Sequence, residues 1–498
     1  MRAHLRVQTP AASRVPLPWL PWLLVWLFLA PVIAKTFADP DLWGHVRFGV
    51  DALKHPGEMP VDSYSFTRDL PWTNHEWLSE LLMGAAYRAA GPFGLVVLKS
   101  ILVSAVLVIV LSSLSGAWPI ASAALLIVVA WGTAPQTLTL RPQLWTLVGL
   151  VLLCRLLITA PRAWWLIALP SLFALWVNLH GGWIVGAGLV AVWTAYHFYC
   201  ADAPRPLVAA VALLSGLATL INPYGWGMWR FLATTVRVSR PIQEWQPLSD
   251  RPVSTWIPYV LVLAVVALCA ASKDRPPMDR LAMIAMLALA ALRVSRLAPL
   301  WVAVAIVLVS PTIIAWSSTV PASWWTPHAP SRAAAWLTTI PIMCVALFSA
   351  REVVQIGGCV PIAGDWIPDT VAGRALSDAG ATGTIVTWFA WGEYAIWHVS
   401  PSLRVSMDGR RETVYSDDVL AKHDELYDGT PAGMAYLRRL NPTYVWVPDS
   451  QTRLREQLQK EGYRFDVDTG LSYVAARADA PVIPFSSGHR PASCFPGP

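Results

Sequence analysis

From residue 17 to residue 350 the chain alternates long apolar runs with short polar breaks, and beyond Arg351 the apolar stretches shrink and are spaced by segments of helical periodicity. A helix needs roughly 17–25 mostly apolar residues to cross the hydrocarbon core of a bilayer. Runs of that length or close to it fall at 17–34, 93–114, 118–133, 139–159, 163–179, 183–199, 206–222, 253–271, 281–296, 298–316 and 334–350, which predicts eleven transmembrane helices. The segment 76–90, EWLSELLMGAAYRAA, is helix-periodic but short, and it carries Glu76, Glu80 and Arg88. It is expected to lie along the interface instead of crossing. Beyond the bundle, 351–478 predicts a small α/β domain, with strands near 384–389, 444–447 and 471–475 and helices near 416–427, 431–440 and 451–461. The last segment, 479–498, is expected to be disordered.

Charge sets the orientation. With 76–90 at the interface, Arg155, Arg162, Arg205, Lys273, Arg275, Arg280 and Arg332 share the side of the N-terminal segment 1–16, which carries Arg2, Arg6 and Arg14. Positive residues concentrate on the cytoplasmic side. The chain therefore reads as a multi-pass inner-membrane protein with its N-terminus cytoplasmic and its C-terminal domain extracytoplasmic. Composition agrees, since 55% of the 498 residues are hydrophobic and 14% are charged. The net charge of +6 does not point to nucleic acid, because the basic residues sit singly between apolar runs. The 28 Trp residues lie mostly near the ends of apolar runs and are read first as interfacial anchors. Six cysteines without CxxC or metal spacing predict neither a disulfide framework nor a zinc site.

On this topology the polar clusters gather on the outer face. Asp39 and Asp41 flank Pro40 directly after the first run, an arrangement that aims two carboxylates into one cleft as a base or as ligands of a divalent cation, with His45 beside them. The alternative is an Asp cap at the start of a helix. At the far end of the same loop, Glu76 and Glu80 share a helix face next to His75, although Asn74 as a helix cap with acids in the first turn accounts for the same string. Arg293 and Arg296, three apart, suit a phosphate clamp; as an alternative they anchor a helix end at lipid headgroups. Arg141 before Pro142 is a second phosphate candidate. His180 in NLHGG, with Glu244 and Trp245 in EWQP, are substrate-binding candidates. Around Trp388–Tyr394 and Asp408–Glu412 the soluble domain offers acceptor-facing surfaces, while Asp408-Gly409 is also an ordinary turn signal.

The string DPDLWGHVRFGVDALKHPGEMPVDSYSFTRDLPWTNHEWLSELL resembles the first outer loop of bacterial membrane glycosyltransferases of the GT-C superfamily, a group similar to protein O-mannosyltransferases and aminoarabinose transferases. RPQLWTL, NLHGG, NPYG, EWQP and the pair Arg293/Arg296 resemble pieces of a little-characterised branch. The resemblance implies an α-helical polytopic fold with an extracytoplasmic domain and a polyprenyl-phosphate sugar as donor. Asp39 or Asp41 stands as first acid, Glu76 as second. Asp41 and Glu76 are then the candidate ligands of a Mg or Mn ion. Inverting transfer to an extracytoplasmic acceptor is the expected function. A transporter or flippase for a lipid-linked solute would place its charges in mid-span, and a non-catalytic assembly protein would tolerate loss of the acids.

Overall fold

The computed structural model describes residues 20–55, 61–200, 204–235, 243–319, 343, 346–348, 350–364, 366–485 and 491–497. Segment 1–16 and most of the expected span 334–350 lie outside these residues. The helices in chain order are α1 (Leu20–Ala34), α2 (Leu42–Lys54), α3 (Trp77–Ser113), α4 (Pro119–Thr137), α5 (Gln143–Leu157), α6 (Trp165–Leu179), α7 (Trp183–Tyr199), α8 (Arg205–Ala218), α9 (Gly227–Thr235), α10 (Val253–Ala271), α11 (Met278–Arg293) and α12 (Ala298–Ser317). Among the described residues four helices are long and apolar enough to cross a membrane: α3, α4, α10 and the stretch Ser295–Ser317 that contains α12. Shorter apolar helices, among them α5, α6 and α8, complete the bundle.

The centre of the bundle is α12. It is apolar all round, so burial against other helices suits it on every face, and it packs on α3, α4, α5, α10 and α11. Several helix ends meet at one face of the bundle. There Phe37 bridges to Thr139, the Trp77 indole donates to Asn178, and Gln136 donates to the Arg296 carbonyl. At the opposite end Arg280 donates to the Ile158 carbonyl and Thr312 to that of Asp274. Buried Lys99 donates to the Lys35 carbonyl and so closes the C-terminal end of α1, where cations are favoured.

Helix α3 breaks at Ala90 and Gly91, where Gly91 takes φ +59, a conformation that favours glycine. The half before the break packs on α2 at a glycine crossing, where a Cβ on Gly49 would lie 1.8 Å from the Glu80 carbonyl oxygen. Its Tyr87 meets Trp397 and Phe495 of the C-terminal domain.

That domain holds five strands, β1 (Gly383–Thr387), β2 (Leu403–Val405), β3 (Tyr444–Pro448), β4 (Arg464–Asp468) and β5 (Ser472–Ala476), in the order β2-β1-β3-β5-β4. Strand β1 runs parallel to β2 and β3, while β5 is antiparallel to β3 and β4. The helices Asp417–Tyr427, Pro431–Leu440 and Thr452–Lys460 stand where their periodicity placed them. The domain is bound to the first loop by Arg410, which pairs with Asp62 and Asp408 and lies over the rings of Phe48, Tyr64 and Trp72.

Three expectations are corrected. Trp43, Trp165, Trp176, Trp183, Trp193, Trp301 and Trp446 are fully buried, so these indoles fill large volumes inside the protein instead of anchoring at an interface. Several also find internal acceptors, such as the Ile284 carbonyl for Trp301. Second, Cys359 and Cys494 form a disulfide; at a sequence separation of 135 no local spacing announces it. Third, 491–497 is not a loose tail. It bridges to Pro361, buries Phe495 against Trp43, and offers the Pro496 carbonyl to the Trp43 indole at 2.7 Å.

Candidate active site

Helix ends position the site. The chain leaves α1, turns through Asp39-Pro40-Asp41 and enters α2, and the Asp41 N–H donates to Asp39 Oδ1 at 3.0 Å. This local turn fixes the two carboxylates differently. Asp39 is buried with its Oδ2 3.0 Å from Arg141 Nε, an ionic contact without hydrogen-bond alignment. Asp41 remains partly open, 32% exposed, with Oδ2 3.5 Å from Arg141 Nη2. Burial holds the Asp39 carboxyl above its ordinary range, against the pull of Arg141.

Arg141 also reaches Glu244 Oε1 at 3.3 Å, and Glu244 Oε2 lies 3.8 Å from Arg296. The EWQP segment is pinned there by Ser295, whose N–H donates to the Gln246 carbonyl and whose hydroxyl donates to the Glu244 carbonyl. Arg296 stands over the Trp245 ring at 5.9 Å. These groups surround a cavity of about 290 Å³ lined by Gln136, Arg141, Gln143, Glu244, Arg251, Thr255, Ser295 and Arg296 among others. The N-terminal ends of α5, α10 and α12 converge on it, adding partial positive charge to three guanidinium groups.

A second cluster adjoins it around Glu76. His75 Nε2 lies 3.4 Å and His180 Nε2 3.5 Å from Glu76 Oε1, and His45 Nε2 lies 4.0 Å from Oε2. His45 Nδ1 also meets Glu80 at 3.1 Å, and Asn74 donates to the other oxygen of Glu80. Burial raises the Glu76 carboxyl, but the fields of His75, His180 and His45 outweigh it and hold it well below the carboxylate range. Burial opposes charging of His45, yet the hydrogen bond to Glu80 and the charges of Glu76, Glu80 and Asp41 lift it to about 9. His180 behaves differently. Its Nδ1 accepts from the Gly182 N–H at 3.0 Å, so in the neutral ring the proton sits on Nε2, facing Glu76. Trp176 donates to the Thr146 hydroxyl, which meets the same Nδ1, and burial brings His180 down to about 3.

The motif glycines serve close approach. A Cβ on Gly182 would stand 2.3 Å from the Thr146 hydroxyl. Asn178 of NLHGG donates to the Ile221 carbonyl just before NPYG, and the Tyr224 hydroxyl of NPYG accepts from the Asn74 N–H at the end of the first loop.

Arg141, Glu244 and Arg296 thus line one cavity, Asp39 and Asp41 stand against Arg141 and Trp245 against Arg296, and His45, His75, Glu76 and His180 gather in the neighbouring cluster. Arg293 does not join them. Helix α11 ends at Arg293 and a 3-10 turn begins at Ser295, so the two arginines do not share a helix face, and Arg293 is exposed. Sequence reasoning missed Gln136, Arg251 and, as site members, Glu80 and Glu393. Arg251 carried a readable signal, because Arg-Pro stands just before a helix both at 141–142 and at 251–252.

The expected divalent cation does not fit these residues. One Asp41 oxygen faces Arg141, both Glu76 oxygens face imidazoles, and no group of three or more His, Cys, Asp or Glu among the described residues is arranged to hold a metal ion. Positive charge at the site comes from the guanidinium and imidazolium groups.

The His45 shift has a testable consequence. With a folded value near 9 against 6.5 for the free side chain, its charged form contributes on the order of 3 kcal/mol of stability. That contribution is fully present below the free value and is lost as pH rises through about 9. Thermal melts of the purified chain should show this alkaline loss, and His45→Gln should flatten it; an unchanged alkaline slope in the variant would contradict the charged His45.

No family model matches the chain, and no curated protein is significantly similar to it. Among solved structures it is similar to the arabinofuranosyltransferase AftD from Mycobacteria, seen by single-particle cryo-electron microscopy, at 13% identity and a TM-score of 0.47. The alignment covers 93% of this chain and 42% of that one, so the chain spans about two-fifths of that protein's length.

Proposed function

We propose that the chain is a membrane glycosyltransferase that moves a sugar from a polyprenyl-phosphate donor to an acceptor hydroxyl on the outer face of the membrane, inverting the anomeric centre. The observation that carries this reading is a cavity lined by three arginines at converging helix N-termini, one of which, Arg141, meets the partly exposed carboxylate of Asp41 at 3.5 Å. Asp41 takes the acceptor proton as its oxygen attacks the anomeric carbon, and the bond to the donor phosphate breaks with oxocarbenium character. Arg141, Arg296 and Arg251 receive the charge that develops on the leaving phosphate, a task suited to forked guanidinium donors. Glu76, held ionised among imidazoles, lines the sugar side. Asp39 fixes the turn and Arg141.

The outer-face assignment draws support from two features. The disulfide Cys359–Cys494 belongs to an oxidising compartment. Arg155, Arg162, Arg205, Lys273, Arg275 and Arg280 flank helix ends remote from the cavity, as cytoplasmic positive charge requires.

The test uses the full chain in lipid nanodiscs with a panel of polyprenyl-phosphate sugars, following release of polyprenyl phosphate. Arg296→Ala is expected to raise KM for the donor about 10- to 100-fold, the worth of one charge-assisted hydrogen bond. No release from any donor of the panel, or an unchanged KM in the variant, would overturn the reading.

A further inference from the structure

Glu393 lies in the C-terminal domain, in the first turn of the helix Gly392–Val399, yet its carboxyl sits against the turn that carries Asp41. It is 3% exposed. The Gly44 N–H in the first turn of α2 donates to Glu393 Oε2 at 3.1 Å. Two glycines form the walls of its slot. A Cβ on Gly44 would stand 2.1 Å from Glu393 Oε2. A Cβ on Gly409 would stand 2.7 Å from Glu393 Oε1 and 2.5 Å from Asp41 Oδ1. Both carboxyl groups therefore approach one small space beside Gly409. Gly44 and Gly409 are fixed by this approach, and the Asp408-Gly409 pair does more than turn the chain.

We propose that Glu393 is a positioning residue for Asp41: its carboxyl, slotted between Gly44 and Gly409, holds Asp41 Oδ1 and leaves Oδ2 turned toward Arg141. The C-terminal domain is by this contact part of the active site, and an undocked domain leaves Asp41 unsupported. The proposal rests on the reading of Asp41 as the base.

The surrounding charges favour a proton on Glu393. Burial pushes its carboxyl well above the usual range, and Asp41, Asp408 and Glu80 add to this while Arg410 opposes it. Arg410 is already engaged by Asp408 and Asp62. A protonated Glu393 donates to Asp41 Oδ1, whereas an ionised one repels it.

Infrared pH-difference spectra of the purified full chain read this pair without any substrate. A protonated-carboxyl band is expected at neutral pH, lost in Glu393→Gln and displaced in Asp41→Asn. With a donor in hand, Glu393→Gln should lower kcat a few-fold, leave KM in place and move the alkaline limb of the pH profile upward, because the amide cannot ionise. Glu393→Ala should lower kcat at least tenfold. A band that survives in Glu393→Gln, or that ignores Asp41→Asn, overturns the proposal. If the band behaves as expected and no donor reacts, the carboxyl pair stands and the transferase reading falls.

Discussion

Replacing Asp41 with Asn is expected to lower turnover about 1000-fold while leaving KM for the donor within about threefold, the range in which a positioned general base contributes. The amide keeps the volume and the contact near Arg141 but cannot take a proton. Asp41 bears this role instead of Asp39 because of their environments: Asp41 is 32% exposed with Oδ2 3.5 Å from Arg141, which lines the cavity, whereas Asp39 is buried and committed to the turn and to Arg141. Asp39→Asn should therefore act mainly on stability, with a smaller effect on kcat. Single-turnover transfer measured on both variants separates the two carboxylates. Retained turnover in Asp41→Asn, or an equal loss in both with unchanged stability, would remove the base from the proposal.

The first loop was legible because its chemistry is local. Asp39, Asp41, His45, His75 and Glu76 lie within one loop and the helix ends that bound it, and a turn built on Pro40 brings carboxylates together at short range whatever the bundle does. Arg141, Glu244 and Arg296 were legible as polar residues at the ends of apolar runs, where a helical bundle must place them at one face or the other. Glu393 was not, since it meets Gly44 across 349 residues and owes its place to domain docking. The disulfide is equally non-local. Arg293 was misplaced because a three-residue spacing implies a shared helix face only while the helix continues, and the 3-10 turn at Ser295–Leu297 ends that continuity. The tryptophans were read by where they fall in apolar runs, but whether an indole faces lipid or a neighbouring helix depends on packing that the run does not encode.

Arg141→Met should produce the largest loss of stability of any single change at the site. The guanidinium is 19% exposed and is shared by Asp39, Asp41 and Glu244 at 3.0, 3.5 and 3.3 Å. Taking it away strands the buried Asp39 carboxylate without a cation, and breaking such a pair from one side costs about 3–5 kcal/mol. Asp39 can relieve this only by taking up a proton, which its burial already favours. The penalty should thus shrink as pH falls and grow as pH rises, and thermal melts across that range measure it. Combining Arg141→Met with Asp39→Asn removes the stranded charge and should recover most of the stability. It should not recover donor binding, because the clamp has still lost one of its three arginines. If the double variant binds donor like the wild type, Arg141 serves only to neutralise the acids around it; if Arg141→Met alone melts like the wild type at neutral pH, the shared ion network does not hold the site together.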